Sequence, residues 1–218
     1  MTGTATGTTY RGTPAPPVAP LTEGPQMTRV IAGSAGGRRL AVPPGTGTRP
    51  TSDRMREGLF STWESLHGVE GARVLDLYAG SGAVGLEALS RGAAHALLVE
   101  PDAKAAKAIK DNITSVGLPG AEFRSGRAEQ IVAGAAHGDP YDMVFLDPPY
   151  EVEHAHLCEI LLTLRSNGWL TGDALVTVER RTRSGAFPWP DGFEPLRSRK
   201  YGEGTLWYGR AASTSEES

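Results

Sequence analysis

The residues with the clearest chemical meaning are Asp147-Pro148-Pro149-Tyr150, an acid, two prolines and an aromatic side chain in a row. They follow an apolar run, residues 141–146, that predicts a buried strand. The prolines remove two backbone donors and hold Asp147 extended, so we expect the carbonyls of Asp147 and Pro148 to accept hydrogen bonds from outside the chain. Acceptors beside a flat aromatic face suit a nucleobase with an exocyclic amine. The alternative is an ordinary strand-ending turn, in which Asp-Pro and Pro-Pro are common.

A second candidate site is the glycine loop, residues 78–85, which joins a predicted strand to a predicted helix and contains Gly80, Gly82 and Gly85. Small residues there let the backbone approach a ligand, and ligands of such sheets bind beyond the carboxyl ends of the strands. Residues 80–85 match G-x-G-x-x-G, so dinucleotide binding is a serious alternative. Glu100 ends the next predicted strand, where an acid could bind ribose hydroxyls under either interpretation.

Asp76, just before the glycine loop, favours a cationic ligand over a dinucleotide. A carboxylate there would repel a pyrophosphate but could bind a cationic amino-acid group. A dinucleotide enzyme would also leave the Asp-Pro-Pro-Tyr motif without a role. S-adenosylmethionine carries a sulfonium, an ammonium and a ribose and no phosphate, so it fits an acid-flanked pocket. Capping of strand ends is the less favoured explanation for Asp76 and Glu100, given the glycines between them.

Arginine is concentrated near the N-terminus. Between Met27 and Arg56 there are six arginines and one acid, in a chain whose formal net charge is −3. The planar guanidinium fork suits phosphate. The candidate RNA or DNA contacts are Arg29, Arg38, Arg39, Arg49, Arg54 and Arg56. The alternative is a solvated hairpin whose basic residues protect an exposed strand edge.

Composition sets the outer limits on function. A chain of 218 residues suits one domain of ordinary size with extensions. Its one cysteine, Cys158, permits no disulfide within the chain and suits a reducing cytoplasm. The absence of an apolar run of about 18 residues excludes a membrane span, and no secretory signal is visible. His154 and His156 have no companion ligands, so we expect surface residues and no metal site.

Four segments follow from the composition along the chain. Residues 1–26 are mostly Thr, Gly, Pro and Ala, which predicts a disordered tail. Residues 27–60 predict an Arg-rich extension: a hairpin with strands at 29–33 and 38–42, then the start of a helix that spans 54–66. Residues 61–210 form the main domain, and residues 211–218 are a polar tail.

The main domain alternates strands with helices, which predicts a parallel sheet covered on both faces. The predicted strands are residues 74–78, 96–100, 122–124, 143–146 and 175–179. The predicted helices are residues 84–91, 103–116, 128–136 and 154–164. Residues 193–200 and 204–209 predict a hairpin that adds antiparallel pairing at the end of the chain. The fold class is therefore α/β.

Together these residues resemble the class I S-adenosylmethionine-dependent methyltransferases, a Rossmann-like fold with a mostly parallel seven-stranded sheet and an antiparallel C-terminal strand. Within that fold the chain resembles the bacterial 16S ribosomal RNA guanine-N2 methyltransferases of the RsmD type over about residues 28–209. The matching segments are residues 29–33, 37–40, 48–60, 76–82, 100, 147–150 and 201–202. The Asp-Pro-Pro-Tyr motif is shared with adenine-N6 methyltransferases. The specific part is Arg-Pro-Thr at 49–51 with Arg-Glu-x-Leu-Phe at 56–60.

The resemblance implies S-adenosylmethionine as cofactor and assigns the residues that bind it. These are Asp76, Tyr78, Ala79, Gly80, Ser81, Gly82, Glu100, Arg127, Ala128 and Asp147. Related enzymes often carry an acid after the third strand that binds the adenine amine, and Arg127 stands where we expect it. The backbone at Arg127 and Ala128 is therefore expected to bind the adenine.

The resemblance also implies the catalytic residues, Asp147, Pro148, Pro149 and Tyr150. Asp147 and the Pro148 carbonyl would accept the N–H bonds of the target amine, and Tyr150 would stack on the base. The implied substrate is 16S ribosomal RNA in a partly assembled small subunit, methylated by a cytoplasmic monomer. An adenine-N6 methyltransferase acting on DNA or RNA is the second hypothesis. A non-catalytic RNA-binding protein with the same fold is the third.

Overall fold

A computed structural model describes Gly3 and residues 27–43, 52–136 and 138–212. Apart from Gly3, the predicted N-terminal tail lies outside the described residues, as do Arg49 and most of the predicted C-terminal tail. None of the helices in these ranges is long and apolar enough to cross a membrane.

Strands and helices alternate through the described ranges, as the sequence predicts. In chain order the elements are β1 (Met27–Arg29), β2 (Arg39–Ala41), α1 (Asp53–Leu66), β3 (Arg73–Leu77), α2 (Ala83–Ser90), β4 (His95–Glu100), α3 (Ala103–Val116), β5 (Ala121–Ser125), α4 (Ala128–Val132), β6 (Tyr141–Leu146), α5 (His154–Ser166), β7 (Leu170–Arg181), a 3-10 turn (Thr182–Ser184), β8 (Phe193–Tyr201) and β9 (Gly204–Ala211).

Seven of these strands form one sheet in the order β5-β4-β3-β6-β7-β9-β8. The first five are parallel, whereas β9 runs antiparallel to both β7 and β8. The fold prediction is thereby confirmed. Chain order reverses at β3, whose neighbours are β4 and β6, and ligands of such sheets bind at this switch point. Because Leu77 pairs with Leu146, Tyr78 and Asp147 leave the sheet side by side.

Alternate side chains of the central strands supply two cores, one on each face of the sheet. Phe145 belongs to the core shared with α1, α2 and α3, and Leu146 belongs to the core shared with α4 and α5. Helix α1 buries the predicted apolar face, and its Trp63 Nε1 donates to Thr177 Oγ1 at 2.9 Å. α1 runs through residue 60 to Leu66 and packs in the same core as the hairpin residue Val30.

The N-terminal hairpin has shorter strands than predicted because its backbone bonds to α2. The N–H groups of Ile31 and Ala32 donate to the Glu87 carboxylate at 2.5 and 3.0 Å. The Ser34 N–H donates to the Ser90 carbonyl at 2.7 Å. These donors are therefore not available for strand pairing, and β1 ends at Arg29.

Helix α4 also ends earlier than predicted, at Val132. The Asn167 amide donates to the carbonyls of Val132 and Ala133 at 2.9 and 3.0 Å, and Trp169 Nε1 donates to the Gly134 carbonyl at 2.8 Å. Side chains from a distant part of the chain therefore take the carbonyls that another helical turn would have used.

Candidate active site

A cavity of about 580 Å³ opens at the carboxyl ends of the parallel strands. That volume lies in the range of small-molecule sites, about 300–1,000 Å³. The predicted residues that line the cavity are Asp76, Tyr78, Ala79, Gly80, Ser81, Glu100, Arg127, Asp147 and Pro149. The glycine loop and the Asp-Pro-Pro-Tyr motif therefore belong to one site.

The glycine loop turns sharply between β3 and α2. Gly80 and Gly82 have φ angles of 57° and 78°, and Tyr78 has a φ of 66°, which is unusual for a residue with a side chain. A Cβ atom on Gly82 would lie 2.6 Å from Leu98 Cδ2, so both the conformation and the space require glycine. Gly82 does not line the cavity, and its role is to shape the loop that does.

Glu100 ends β4 and fixes the other side of the loop. Its two oxygens accept N–H bonds from Gly80 at 2.9 Å and from Asp102 at 3.0 Å. Burial raises the pKa of the Glu100 carboxyl, and the two backbone bonds oppose that shift. The side chain lines the cavity with lone pairs left over, so it can accept hydrogen bonds from ligand hydroxyls.

Asp76 lies at the base of the cavity, where its side chain is almost fully buried. Its Oδ2 accepts the Gly85 N–H at 3.0 Å. Burial raises the pKa of Asp76 to about 8; the bond from Gly85 opposes this rise, and the negative charges of Asp147 and Glu100 add to it. A cation bound nearby would favour the charged form of Asp76. The acid-lined cavity therefore fits S-adenosylmethionine, which carries two positive charges on its methionine portion.

Arg180 of β7 holds the turn that follows Asp147. Its guanidinium donates to the carbonyls of Pro149, Tyr150 and Val152 at 3.4, 3.1 and 2.7 Å, and its side chain is buried. The Val152 N–H closes the turn by donating to the Pro149 carbonyl at 3.0 Å. The motif is thus a compact turn fixed against β7.

Pro148 and Tyr150 lie beside the cavity and do not line it. The guanidinium carbon of Arg181 lies 4.2 Å from the centroid of the Tyr150 ring, a cation–π contact that covers one ring face. Burial raises the pKa of the Tyr150 hydroxyl, and the charges of Glu179 and Asp147 raise it further. A base that stacks on Tyr150 would therefore use the other face of the ring.

Glu129 lines the cavity as well, although the sequence did not predict it as a site residue. The acid that binds the adenine amine in related enzymes was expected at position 127. Here that residue is Arg127, which is the N-cap of α4 and leaves 71% of its side chain exposed. Ala128 is buried and does not line the cavity, whereas Glu129 in the first turn of α4 does. Acids are enriched in the first turns of helices, and this tendency could have pointed to Glu129. His156, predicted to be a surface residue, is partly exposed and also lines the cavity, with Nε2 3.9 Å from the Glu129 carboxylate.

Four of the predicted RNA-contacting arginines are exposed: Arg29, Arg38, Arg39 and Arg54. Arg29 pairs with Asp53 at 3.2 Å. Arg38 donates to the carbonyls of Ser115 and Val116, both at 2.8 Å, at the end of α3. Exposed guanidinium groups held near the surface by such contacts remain available to phosphates.

Arg56 does not fit this set, and the prediction that it contacts RNA is wrong. Its side chain is fully buried. Its Nη2 donates to Thr28 Oγ1 at 3.0 Å, to the Arg29 carbonyl at 2.8 Å and to Asp53 Oδ1 at 2.8 Å. Arg56 therefore joins the hairpin to α1.

Alanine substitutions at Arg56 and Arg54 are expected to impair different properties, stability for Arg56 and RNA binding for Arg54. Arg56→Ala should lower the free energy of unfolding by about 2 kcal/mol, because buried acceptors lose their donor. Arg54→Ala should change that free energy by less than about 0.5 kcal/mol. The predicted contact of Arg54 with RNA implies instead that this substitution weakens RNA binding and reduces the salt dependence of the affinity by about one ion. Denaturant unfolding and RNA binding at several salt concentrations measure both effects. Weaker RNA binding by a fully stable Arg56→Ala protein would contradict this assignment.

Comparisons with known proteins agree with the geometry of the site. The sequence model of the family described as "Conserved hypothetical protein 95" matches residues 28–210. The chain is 39% identical over 166 residues to ribosomal RNA small subunit methyltransferase D of Escherichia coli K12, which covers 76% of this chain and 81% of that protein. It is 36% identical over 154 residues to the Haemophilus influenzae protein of the same name, with coverages of 69% and 77%.

The similarity extends to three dimensions. The solved structure of the Escherichia coli protein yhhF superimposes with a TM-score of 0.76 at 34% identity, covering 87% of this chain and 100% of that one. The family match, the sequence identity over most of both chains and the shared architecture agree. The chain therefore belongs to the RsmD family of methyltransferases.

Proposed function

We propose that this methyltransferase transfers a methyl group from S-adenosylmethionine to the exocyclic N2 amine of a guanine in 16S ribosomal RNA. The observation that carries the proposal is that Asp147 lines the same cavity as Asp76 and Glu100. Asp147, which can accept hydrogen bonds from an amine, therefore lies in the same cavity as the two acids that can bind a cationic cofactor. The names of the relatives, ribosomal RNA small subunit methyltransferase D, support ribosomal RNA as the substrate.

The cofactor would be held by the carboxylates and backbone of the cavity. Asp76 would pair with the ammonium group, and Glu100 would accept hydrogen bonds from the ribose hydroxyls. The backbone at Arg127 and Ala128, together with the Glu129 carboxylate, would bind the adenine amine. When bound, S-adenosylmethionine supplies a methyl group already activated by a positively charged sulfur.

Asp147 and the Pro148 carbonyl would orient the target amine. Guanine N2 is a poor nucleophile because its lone pair is delocalised into the ring. Two acceptors for its N–H bonds favour a pyramidal nitrogen whose lone pair points at the methyl group. Positioning of this kind supplies up to about 7–11 kcal/mol. Asp147 would also stabilise the positive charge that develops on the nitrogen and accept its proton, directly or through water.

The target base must leave its helix to reach the cavity, or lie in an unpaired loop. Stacking on the open face of Tyr150 would contribute about 1–3 kcal/mol to holding it there. The exposed arginines of the hairpin and α1, Arg29, Arg38, Arg39 and Arg54, would bind phosphates and set the register of the RNA without reading bases. We propose a monomer acting on a partly assembled small subunit.

The test is methyl transfer from labelled cofactor to three substrates. These are small ribosomal subunits from cells that lack the gene, naked 16S ribosomal RNA and duplex DNA, each digested to nucleosides after reaction. We expect N2-methylguanosine from the ribosomal substrates. N6-methyladenosine would instead support the adenine-N6 alternative, to which the shared Asp-Pro-Pro-Tyr motif also points. Cofactor binding without transfer to any substrate would contradict an enzymatic function.

A further inference from the structure

Glu179 lies near the carboxyl end of β7, next to the carboxyl end of β6, which leads into Asp147. These strands are parallel, and their last pairs are Phe145 with Thr177 and Leu146 with Val178. Asp147 and Glu179 follow at the same level and point to the same sheet face as Phe145 and Thr177. Glu179 is 6% exposed, so its carboxyl group is held inside the protein beside Asp147.

The register of β6 and β7 places the two carboxyl groups close enough to share a hydrogen bond. Two carboxylates cannot bond to each other unless one of them carries a proton. Burial raises the pKa of Glu179 to about 9, and the charge and hydrogen bond of Asp147 contribute to that rise. Asp147 is only partly buried and lines the cavity, whereas Glu179 is buried, so Glu179 keeps the proton near neutral pH and donates to Asp147.

The surroundings of Glu179 favour its neutral form. A Cβ atom on Gly204 of β9 would lie 2.8 Å from Glu179 Oε1 and 2.7 Å from Met55 Cε of α1. Two uncharged residues, Gly204 and Met55, therefore pack close to the Glu179 carboxyl. Among the described residues, Asp147 and Tyr150 interact electrostatically with Glu179, and Arg181, on the same face of β7, stacks on Tyr150. Glu179 Oε2 is buried with no hydrogen-bond partner among the described residues. An ionised carboxylate in such a place would be costly, whereas a neutral carboxyl is tolerated.

We propose that Glu179 is a positioning residue for methyl transfer, because its protonated carboxyl holds Asp147 in the orientation that accepts the N–H bond of the target amine. This inference rests on the proposed function of Asp147. With Glu179 protonated, the pair carries one negative charge, which stays on Asp147. With Glu179 ionised, the two like charges repel and Asp147 turns away.

The test compares Glu179→Gln and Glu179→Ala in single-turnover methyl transfer across pH 6–10. The wild-type rate should fall above about pH 9, when Glu179 loses its proton. Glutamine donates an N–H at every pH, so Glu179→Gln should keep a rate within about threefold of wild type at pH 7.5 and lack the alkaline fall. Glu179→Ala should lose about 100-fold in rate with unchanged cofactor affinity, as expected for a misplaced reacting group. The matched control is Glu203, an exposed acid whose charge also acts on Tyr150. Glu203→Gln should keep the wild-type dependence of the rate on pH.

An alkaline fall that persists in Glu179→Gln, or a normal rate in Glu179→Ala, would overturn the proposal. Methyl transfer to adenine instead of guanine would leave this comparison intact, so the two failures are distinguishable.

Thermal unfolding tests the proton independently of activity. Between pH 4.5 and about 9 the folded protein holds a proton on Glu179 that the unfolded chain does not, so this group lowers stability as pH rises. Glu179→Gln should therefore melt above wild type at pH 8 and close to it at pH 5; equal melting temperatures at both pH values would exclude the shared proton.

Discussion

Replacing Asp147 with alanine is expected to reduce the rate of methyl transfer by about 10³-fold while S-adenosylmethionine still binds. One preorganised group that stabilises developing charge contributes about 10²–10³-fold, and Asp147 is also proposed to orient the amine. The cofactor contacts proposed for Asp76 and Glu100 lie on β3 and β4, so they survive this substitution. Rapid-quench kinetics at saturating cofactor and calorimetric binding measure the two quantities separately.

Asp147→Asn is the matched variant, because it keeps the shape and one acceptor oxygen and removes the charge. If orientation of the amine dominates, Asp147→Asn should lose only about 10-fold, since the Asn oxygen still accepts an N–H bond. If charge stabilisation or proton acceptance dominates, its loss should approach that of alanine. Near-normal turnover of Asp147→Ala would remove Asp147 from the mechanism.

The strong local patterns were sufficient to predict the sheet and the main acids of the site. The apolar run of β6 and the strand–helix alternation predict parallel strands, and parallel strands bring their carboxyl ends to one edge. Asp76, Glu100 and Asp147 each lie at or near the end of a strand, so their convergence on one cavity followed from the topology. The apolar face of α1 was equally clear from its helical spacing.

The features that the sequence could not predict depend on contacts between distant segments. Arg54 and Arg56 are two residues apart in a basic stretch, and only the packing of the hairpin on α1 buries one and exposes the other. The hairpin strands are short because Glu87, far along the chain, takes their donors. Glu179 closes an apolar run, and its pairing with Asp147 depends on the register of β6 and β7, which no local pattern encodes.

Binding of S-adenosylmethionine is expected to strengthen about tenfold per pH unit between roughly pH 6 and 8, because the proposed pairing of Asp76 with the ammonium group requires Asp76 to release a proton. Before the cofactor binds, burial holds the pKa of Asp76 at about 8, so most molecules are protonated there at pH 7. A neighbouring ammonium lowers that pKa. The bound state therefore carries fewer protons than the free state, and by linkage its affinity rises with pH until the free protein is itself ionised near pH 8.

Calorimetry in buffers of different ionisation enthalpy measures the proton directly, and close to one proton per cofactor should be released at pH 7. Asp76→Asn keeps an oxygen to accept the Gly85 N–H but cannot ionise, so its affinity should be about 10- to 100-fold weaker at pH 8 and independent of pH. Glu100→Gln is the control: it weakens binding at the ribose end but keeps the pH slope, because Asp76 still titrates. A slope that survives in Asp76→Asn would show that another group releases the proton, and the ammonium would then have to be bound elsewhere in the cavity.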